Sequence, residues 1–531
     1  GAAQFLMVLD TSVMNVSITQ LVEDFDTEVT AIQAVITLYT LVMAAFMVTG
    51  GKLGDLWGRR RAFTIGLVVY GVGSALTAVA PTLLVLALGW SIIEGLGATL
   101  VLPALAALVG GNYEGRARAV AYGVIGGLAG AGIAVGPLLG GWVTTYLTWR
   151  LVFAGEVVIV AGILLVVRWI GDTERPGRRP QLDLVGAVLS AAGLALVVLG
   201  VLQSGTWGWL KPRNSPWTPF GFSLTPFVIG AGLVVLVLFR DWELRRERAG
   251  QDPLIRFRLF NLAPLRAGLS MLLAQNLILL GLFFTVPLYL QVVQGFDAFE
   301  TGLRLLPVSV TMLVTAMLGP TLGRYAGPRQ IVRLGVVMLV ASTVWLLSTI
   351  DPEIDDLSFA LAMALLGIGM GLLASQLGNV VQSSVGASAR SEVGGLQYTA
   401  QNLGSSLGTA LIGAVLIGAL AGAVTSYVEE DPRVSTAVQQ EVGVALESGI
   451  SFVSTDQVRA SLEEADIPTA EVDALVESYA EAQLYGLKVA LLAAIAIAVA
   501  SYRFTRYLPT EPLTGKEPGA EGEPLAADLA R

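Results

Sequence analysis

Neither cysteine nor histidine occurs in the 531 residues of this chain. The first absence excludes disulfides and thiolate metal sites. The second removes the commonest metal ligand and the side chain that ordinarily titrates near neutral pH. Any proton carrier must therefore be a carboxyl group. Charge is scarce as well: Asp, Glu, Lys and Arg make up 14% of the chain, the formal net charge is -9, and no basic surface is offered on which nucleic acid could sit. What is plentiful is apolar sequence. Hydrophobic residues reach 54% and mean hydropathy is +0.71. Stretches of about twenty apolar residues, long enough to cross the hydrocarbon core of a bilayer as a helix, recur through nearly the whole chain. The fold class that follows is an all-α polytopic membrane protein.

Fourteen spans can be drawn, at roughly 5–23, 31–50, 62–80, 82–109, 118–145, 151–170, 182–202, 222–240, 264–290, 302–323, 331–350, 357–381, 393–425 and 483–502. Between the seventh and eighth, Trp207, Trp209, Lys211, Pro212, Pro216 and Trp217 read as an interfacial turn, and a re-entrant excursion would give the same pattern. Without that pair twelve spans remain, with the same orientation. With both termini in the cytoplasm, only Arg150, Lys211, Arg213, Arg304, Arg433, Arg459 and Lys488 of the 32 basic residues fall outside or near that face, so the positive-inside rule fixes the direction. The chain starts almost on its first span, which implies a short cytoplasmic leader ahead of it and no cleavable signal pattern. The longest outward segment, about 426–481, is acidic. It reads either as a solvated loop with some helix or as a cap that attracts cationic solutes.

Three carboxylates lie in or beside apolar spans: Asp10, within the run Phe5 to Ile18, Glu94 and Glu156. An ionisable group inside a membrane helix is expensive and marks function by default. A neutral carboxylic acid costs far less in a dry cavity than a carboxylate, whereas a bound cation favours the charged form, so proton and cation can compete for such a site. The structural alternatives are an interhelical hydrogen bond for Glu94 and, for Glu156, an ion pair or gate with nearby Arg150.

Two glycine-rich constellations follow. In Gly51-Lys-Leu-Gly-Asp-Leu-Trp-Gly-Arg-Arg-Arg61, Gly51, Gly54 and Gly58 permit tight turns, and Asp55 can pair with Arg59 or Arg60. Such a cluster suits a conformational latch, or a plain turn with basic anchors. In the run from Gly123 to Gly141, Gly132, Gly136 and Gly140 recur at four-residue spacing beside Pro137 and Gly141, which fits static close packing and a rocking interface equally well.

On these residues the chain resembles the major facilitator superfamily, in its fourteen-span drug:proton antiporter branch. Gly51 to Arg61 is similar to the superfamily's loop between the second and third helices. Gly132-Ile-Ala-Val-Gly-Pro-Leu-Leu-Gly-Gly141 resembles the antiporter signature of the fifth helix, and Leu9-Asp-Thr-Ser-Val-Met-Asn-Val-Ser-Ile18 resembles the branch's first-helix signature. The resemblance implies a major facilitator fold: six-helix bundles at 1–170 and 260–505, the second carrying the outer loop 426–481, a linker 171–259 with two additional transmembrane helices, and a cytoplasmic tail 506–531. It also explains the weak echo of the loop motif at Gly319 to Arg329, which lacks a counterpart of Asp55. The sequence departs from the family pattern in the fourth helix, where Ser91 stands at the position of the signature Arg and Glu94 follows one turn later. That leaves Asp10 with less charge compensation and makes the N-terminal cavity more negative.

The function so implied is proton-driven export of hydrophobic or cationic amphipathic compounds, multidrug efflux by alternating access. It would operate in the bacterial cytoplasmic membrane, by a functional monomer surrounded by membrane lipids, with protons as coupling ion and neither a metal nor another cofactor. Asn15, Met271, Asn276, Phe283, Tyr289, Gln397, Tyr398 and Gln401 are candidates for the substrate cavity, against the alternative of ordinary interhelical hydrogen bonds and packing. Export or flipping of amphipathic lipids or lipid precursors would use the same groups. A membrane hydrolase lacks His-centred and Cys-centred motifs, and a sensor lacks a signalling module.

Overall fold

A computed structural model describes the chain except for residues 113–127, 129–130, 133–134, 170, 172–180, 324, 386–389, 437, 440–451, 465–467 and 512–531. Most of the tail, much of the linker's basic stretch and the first part of the fifth expected span lie outside the described residues, with Arg116, Arg118, Arg175, Arg178, Arg179, Arg324, Lys516 and Arg531.

The described chain is helical. The first half runs α1 (Ala2–Val16), α2 (Ile18–Asp24), α3 (Val29–Trp57), α4 (Arg59–Ala78), α5 (Leu83–Leu86), a π-helical turn (Ala87–Glu94), α6 (Gly95–Asn112), α7 (135–146) and α8 (Arg150–Val167). The linker pair is α9 (Leu184–Trp207) and α10 (Thr225–Arg248). The second half comprises α11 (Ala263–Leu288), α12 (Ala298–Leu322), α13 (Pro328–Leu347), α14 (Asp356–Ser383), α15 (Arg390–Glu430), α16 (Thr455–Glu464) and α17 (Thr469–Tyr502). Among the described residues, 11 helices are long and apolar enough to cross a membrane, or 12 if α1 and α2, bent by 67° about Ser17, form one span. The eighth expected span, 222–240, falls mostly on α10, which is not among the 11.

Helix ends follow from local chemistry. Gly58 (φ 100°) stops α3 and Gly208 (φ 80°) stops α9, conformations that a side chain would strain. Asp297 and Glu300 form a reciprocal capping box at the start of α12, and Asp183 and Asp355 cap α9 and α14. Large apolar side chains such as Val158, Leu165, Val188, Val234 and Met317 point outward, as lipid-facing helices require, while polar groups turn inward.

Within the first half α4 packs against α6 and α8. Within the second, α12 packs on α14, and α11 on α15. The halves meet along α3 and α15: Gln33 donates to the Thr409 carbonyl at 2.7 Å, and Ser406 donates to that of Thr37 at 3.1 Å. Linker helix α9 lies across this same seam, touching both α3 and α15. A cavity of about 160 Å³ remains between the three, lined in part by Thr30, Gln33, Gln203 and Thr206. The other end of the linker pair is pinned by Asp183, which accepts from Trp242 Nε1 at 3.0 Å and pairs with Arg246 at 3.1 Å.

At the ends remote from the basic loops the halves are in direct contact. Gln291 donates to the Val16 carbonyl at 2.9 Å, and the Phe299 amide to Thr145 Oγ1 at 3.1 Å. Gly141 lies against the Ala298 backbone, and Gly302 against the Pro137 carbonyl. In the acidic segment, Arg433 bridges Asp431 and Glu477, and its hydrogen bonds hold the Asp431 carboxyl below the usual carboxylate range.

Candidate functional site

Asp10, Glu94 and Glu156 come from α1, the π-helical turn and α8, and the structure gathers them into one buried cage. Each offers a carboxylate oxygen within 4.8 Å of the others, and their exposures are 0%, 0% and 1%. The turn that carries Glu94 also carries Trp90, whose Nε1 donates to both oxygens of Asp10, at 2.8 and 2.9 Å. Tyr39 of α3 stacks on Trp90 with ring centroids 4.6 Å apart and planes 6° from parallel. Ser74 Oγ of α4 lies 3.0 Å from Glu94 Oε2 and 3.0 Å from Glu156 Oε2, and Tyr70 Oη lies 3.5 Å from the latter. Glu94 Oε1 and Glu156 Oε1 are buried without a hydrogen-bond partner among the described residues.

The cage forms because α4 approaches the π-helical turn and α6 closely. A Cβ on Gly73 would stand 2.6 Å from the Glu94 amide nitrogen, one on Gly89 2.7 Å from Thr77 Oγ1, and one on Gly97 2.5 Å from the Tyr70 amide. Only glycine fits at these crossings. The extra residue of a π-turn rotates the helix where Trp90, Ser91 and Glu94 emerge, a distortion common at functional sites. Ser91, at the signature Arg position, donates instead to the Val35 carbonyl of α3 at 2.8 Å. None of the three carboxylates forms an ion pair among the described residues. A cage of oxygens alone can share protons, and its spacing could also hold a small hard cation.

The expected partnership of Glu156 with Arg150 is not what the structure has. Arg150 pairs with Asp24 at 2.8 Å and donates to the Ala80 carbonyl, and Trp149 also donates to Asp24. Glu156 lies one and a half turns further along α8 and turns inward to Ser74. The loop motif forms bonds within the first half: Asp55 pairs with Arg59 at 3.4 Å, and Arg59 donates to the Ala107 carbonyl of α6. Gly51 and Gly54 lie in van der Waals reach of Pro103 and Ala62, and the Arg60 carbonyl accepts from Thr64. The fifth-helix motif has two faces. Gly132, Gly136 and Gly140 pack on Val8, Ser12 and Val13 of α1, while Pro137 and Gly141 face Gly302 and Ala298 of α12. Static packing and inter-bundle contact are thus both present, on adjoining faces of one helix.

The cavity candidates divide by burial. Asn276, Gln397, Tyr398 and Gln401 are half-buried on α11 and α15, with Gln397 accepting from Gln382 at 3.2 Å. Met271 and Phe283 are buried in the core. Tyr289 is fully buried, its hydroxyl bonded to the carbonyls of Thr349 and Asp351, which makes it a strut of the second half. Asn15 is buried on α1, the helix that carries Asp10, donating to the Thr11 carbonyl at 2.7 Å. Sequence reasoning passed over Ser74, Tyr70, Tyr39 and Trp90 as site residues. The signal that could have found the first two is the glycine spacing Gly66, Gly73 beside them, which marks the face where α4 comes closest to its neighbour.

Residues 1–409 match the sequence profile described as Major Facilitator Superfamily. The chain belongs to that superfamily. It is 30% identical to the probable actinorhodin transporter of Streptomyces coelicolor over 473 residues, covering 87% of this chain and 78% of the relative. To the multidrug resistance protein Stp of Mycobacterium tuberculosis it is 26% identical over 537 residues, 99% of this chain and 94% of the relative. A bacterial homologue of the human lysosomal transporter Spinster, solved inward-facing and unoccupied, shares the fold with a TM-score of 0.56 at 13% identity, each chain covered to 96%. As a member of the superfamily the protein is a secondary transporter of small molecules that works by alternating access, and it is no enzyme. It is a multi-pass membrane protein of bacterial type. The carboxylate cage sits in the first half of this transporter.

Proposed function

We propose that the protein is a proton-coupled antiporter of the fourteen-helix drug:proton type, exporting hydrophobic or cationic amphipathic compounds from the cytoplasm, with both termini on the cytoplasmic side. The observation that carries this reading is the gathering of Asp10, Glu94 and Glu156 into one buried cage without an ion-pair partner among the described residues. Three ionised carboxylates so close in low dielectric repel strongly, so their charge is set by protons taken up or given off. The names of the relatives, a probable actinorhodin transporter and a multidrug resistance protein, support the cargo class.

The three carboxylates are buried, with no more than 1% exposure, so a drug-sized cation does not contact them in this state. Coupling acts through the charge of the cage. A deprotonated cage makes the first half negative and favours a cationic cargo from the cytoplasm. When the outer ends open, protons from outside neutralise the cage, the cargo loses its attraction and leaves, and the empty protein resets. Proton loss to the cytoplasm restores the negative cage. The half-buried amides and ring of Asn276, Gln397, Tyr398 and Gln401 would contact the cargo as the bundles rock, while the loop from Gly51 to Arg60 and the Pro137–Gly141 face of α7 would serve as latch and rocking contact.

The test is flux in proteoliposomes holding the intact chain, with an imposed proton gradient or none, offering ethidium and amphipathic lipids. Gradient-dependent ethidium movement with countermoving protons, abolished in Asp10→Asn, is the expected result. Lipid movement without ethidium transport would reassign the protein to lipid export or flipping, and gradient-driven export unchanged by Asp10→Asn would remove the cage from the coupling mechanism.

A further inference from the structure

We infer that Ser74 is a positioning residue that binds Glu94 and Glu156 into one proton-holding pair, so that export moves a proton of this pair in addition to any carried by Asp10. This rests on the antiporter reading for the transport step, and on hydrogen-bond counting alone for the pair.

Ser74 Oγ lies 3.0 Å from Glu94 Oε2 and 3.0 Å from Glu156 Oε2, both contacts buried. A hydroxyl has one proton to donate and lone pairs to accept. It therefore cannot satisfy two ionised carboxylates at once: one contact is a serine donating, and the other is a carboxylic acid donating to the serine oxygen. Whichever glutamate holds it, the proton belongs to the pair: the protonated carboxyl donates to Ser74 Oγ, and Ser74 donates to the other carboxylate. No bond to carbon changes, and the proton passes along hydrogen bonds already in place.

Charge reaches the same result. Asp10 has its own donor in Trp90. If both glutamates were also ionised, three negative charges would share a fully buried space in which no Lys or Arg is paired with them among the described residues, with Glu94 Oε1 and Glu156 Oε1 unsatisfied as well. A proton between the glutamates relieves the repulsion and uses the serine bridge. Ser74 sits beside Gly73, whose missing side chain lets α4 close on the Glu94 backbone, so the bridge is built into the helix crossing.

Infrared spectroscopy of the purified wild-type protein in lipid at neutral pH should show a buried carboxylic-acid C=O band that shifts in deuterated water. The isosteric Glu94→Gln should remove it, Ser74→Ala should shift it to the frequency of an acid that has lost its hydrogen bond, and Ser74→Thr should restore it. No acid band in the wild type, or the same band in Glu94→Gln, overturns the pair. In proteoliposomes, the ratio of protons to ethidium obtained from balancing gradients should exceed one in the wild type and fall by one proton in Glu94→Gln. A wild-type ratio of one overturns the added proton while leaving the antiporter standing. An intact acid band with ethidium flux indifferent to the proton gradient overturns the antiporter reading and leaves the serine-bridged pair in place.

Discussion

Trp90 gives its single indole proton to both oxygens of Asp10, so the aspartate's orientation depends on a side chain one turn before Glu94 in the same π-helical segment. Trp90→Phe keeps an aromatic face for Tyr39 and deletes only the donor and part of the ring. Hydrogen bonds to charged groups are worth about 2 kcal/mol, and the orphaned carboxylate would turn away from the cage. Thermal unfolding in detergent should register a loss of that order, and proton-driven efflux should slow by roughly tenfold or more, since each 1.4 kcal/mol is a factor of ten. Efflux at wild-type rate would show that the indole contact does not position Asp10. The three carboxylates were legible in the sequence because an acidic residue in an apolar run has few uses other than function. Ser74, Tyr70 and Trp90 were not, because each residue type is ordinary in a membrane helix, and only the crossing of α4 with the π-turn gives them a role. The ion pair of Glu156 with Arg150, the structural alternative, does not form for a related reason: the two are near in sequence, but Asp24, from another helix end, takes the arginine.

Helix α9 touches α3 of the first half and α15 of the second, so any rocking of the halves shears it against at least one neighbour. A Cβ built on Gly205 would lie 3.4 Å from that of Ala414, near the separation a disulfide requires, and the chain has no native cysteine to interfere. The pair Gly205→Cys and Ala414→Cys should therefore cross-link under mild oxidant, visible as a gel shift after proteolysis between them. Export should stop while the bridge is closed and resume on reduction. Undiminished export by the cross-linked protein would mean that α9 travels rigidly with α15. Periodicity and hydropathy placed most of the helices to within a few residues, because length and apolar content are local properties. Where α9 docks was not legible, since its faces are uniformly apolar and the partners Gly205 and Ala414 are small residues without a chemical signature. The break at Ser17 was equally hidden: a lone serine in an apolar run gives no sign that the chain turns by 67°.

In the whole molecule, contact between the halves at the ends away from the basic loops rests on a few backbone approaches that only glycine permits. A Cβ on Gly302 would collide with the Pro137 carbonyl oxygen and stand 3.2 Å from Leu138 Cα, and one on Gly141 would collide with the Ala298 carbonyl oxygen. Overpacking such a contact costs about 1–3 kcal/mol, paid only in the closed form, because the surfaces part when that end opens. A closed-to-open ratio would then shift by roughly tenfold or more. Gly302→Val should therefore bias the protein toward the open state without unfolding it. The readout is a single cysteine at Val16, which is buried and whose carbonyl accepts from Gln291 across the closed end. A membrane-impermeant maleimide added outside intact cells should label it several-fold faster when Gly302→Val is present. Equal labelling rates would show that closure does not depend on the α7–α12 approach. Labelling from the cytoplasmic side instead would invert the orientation drawn from the basic loops, and with it the direction in which the cage gains and loses protons. The same substitution therefore tests both the hinge of the alternating cycle and the sidedness on which export depends.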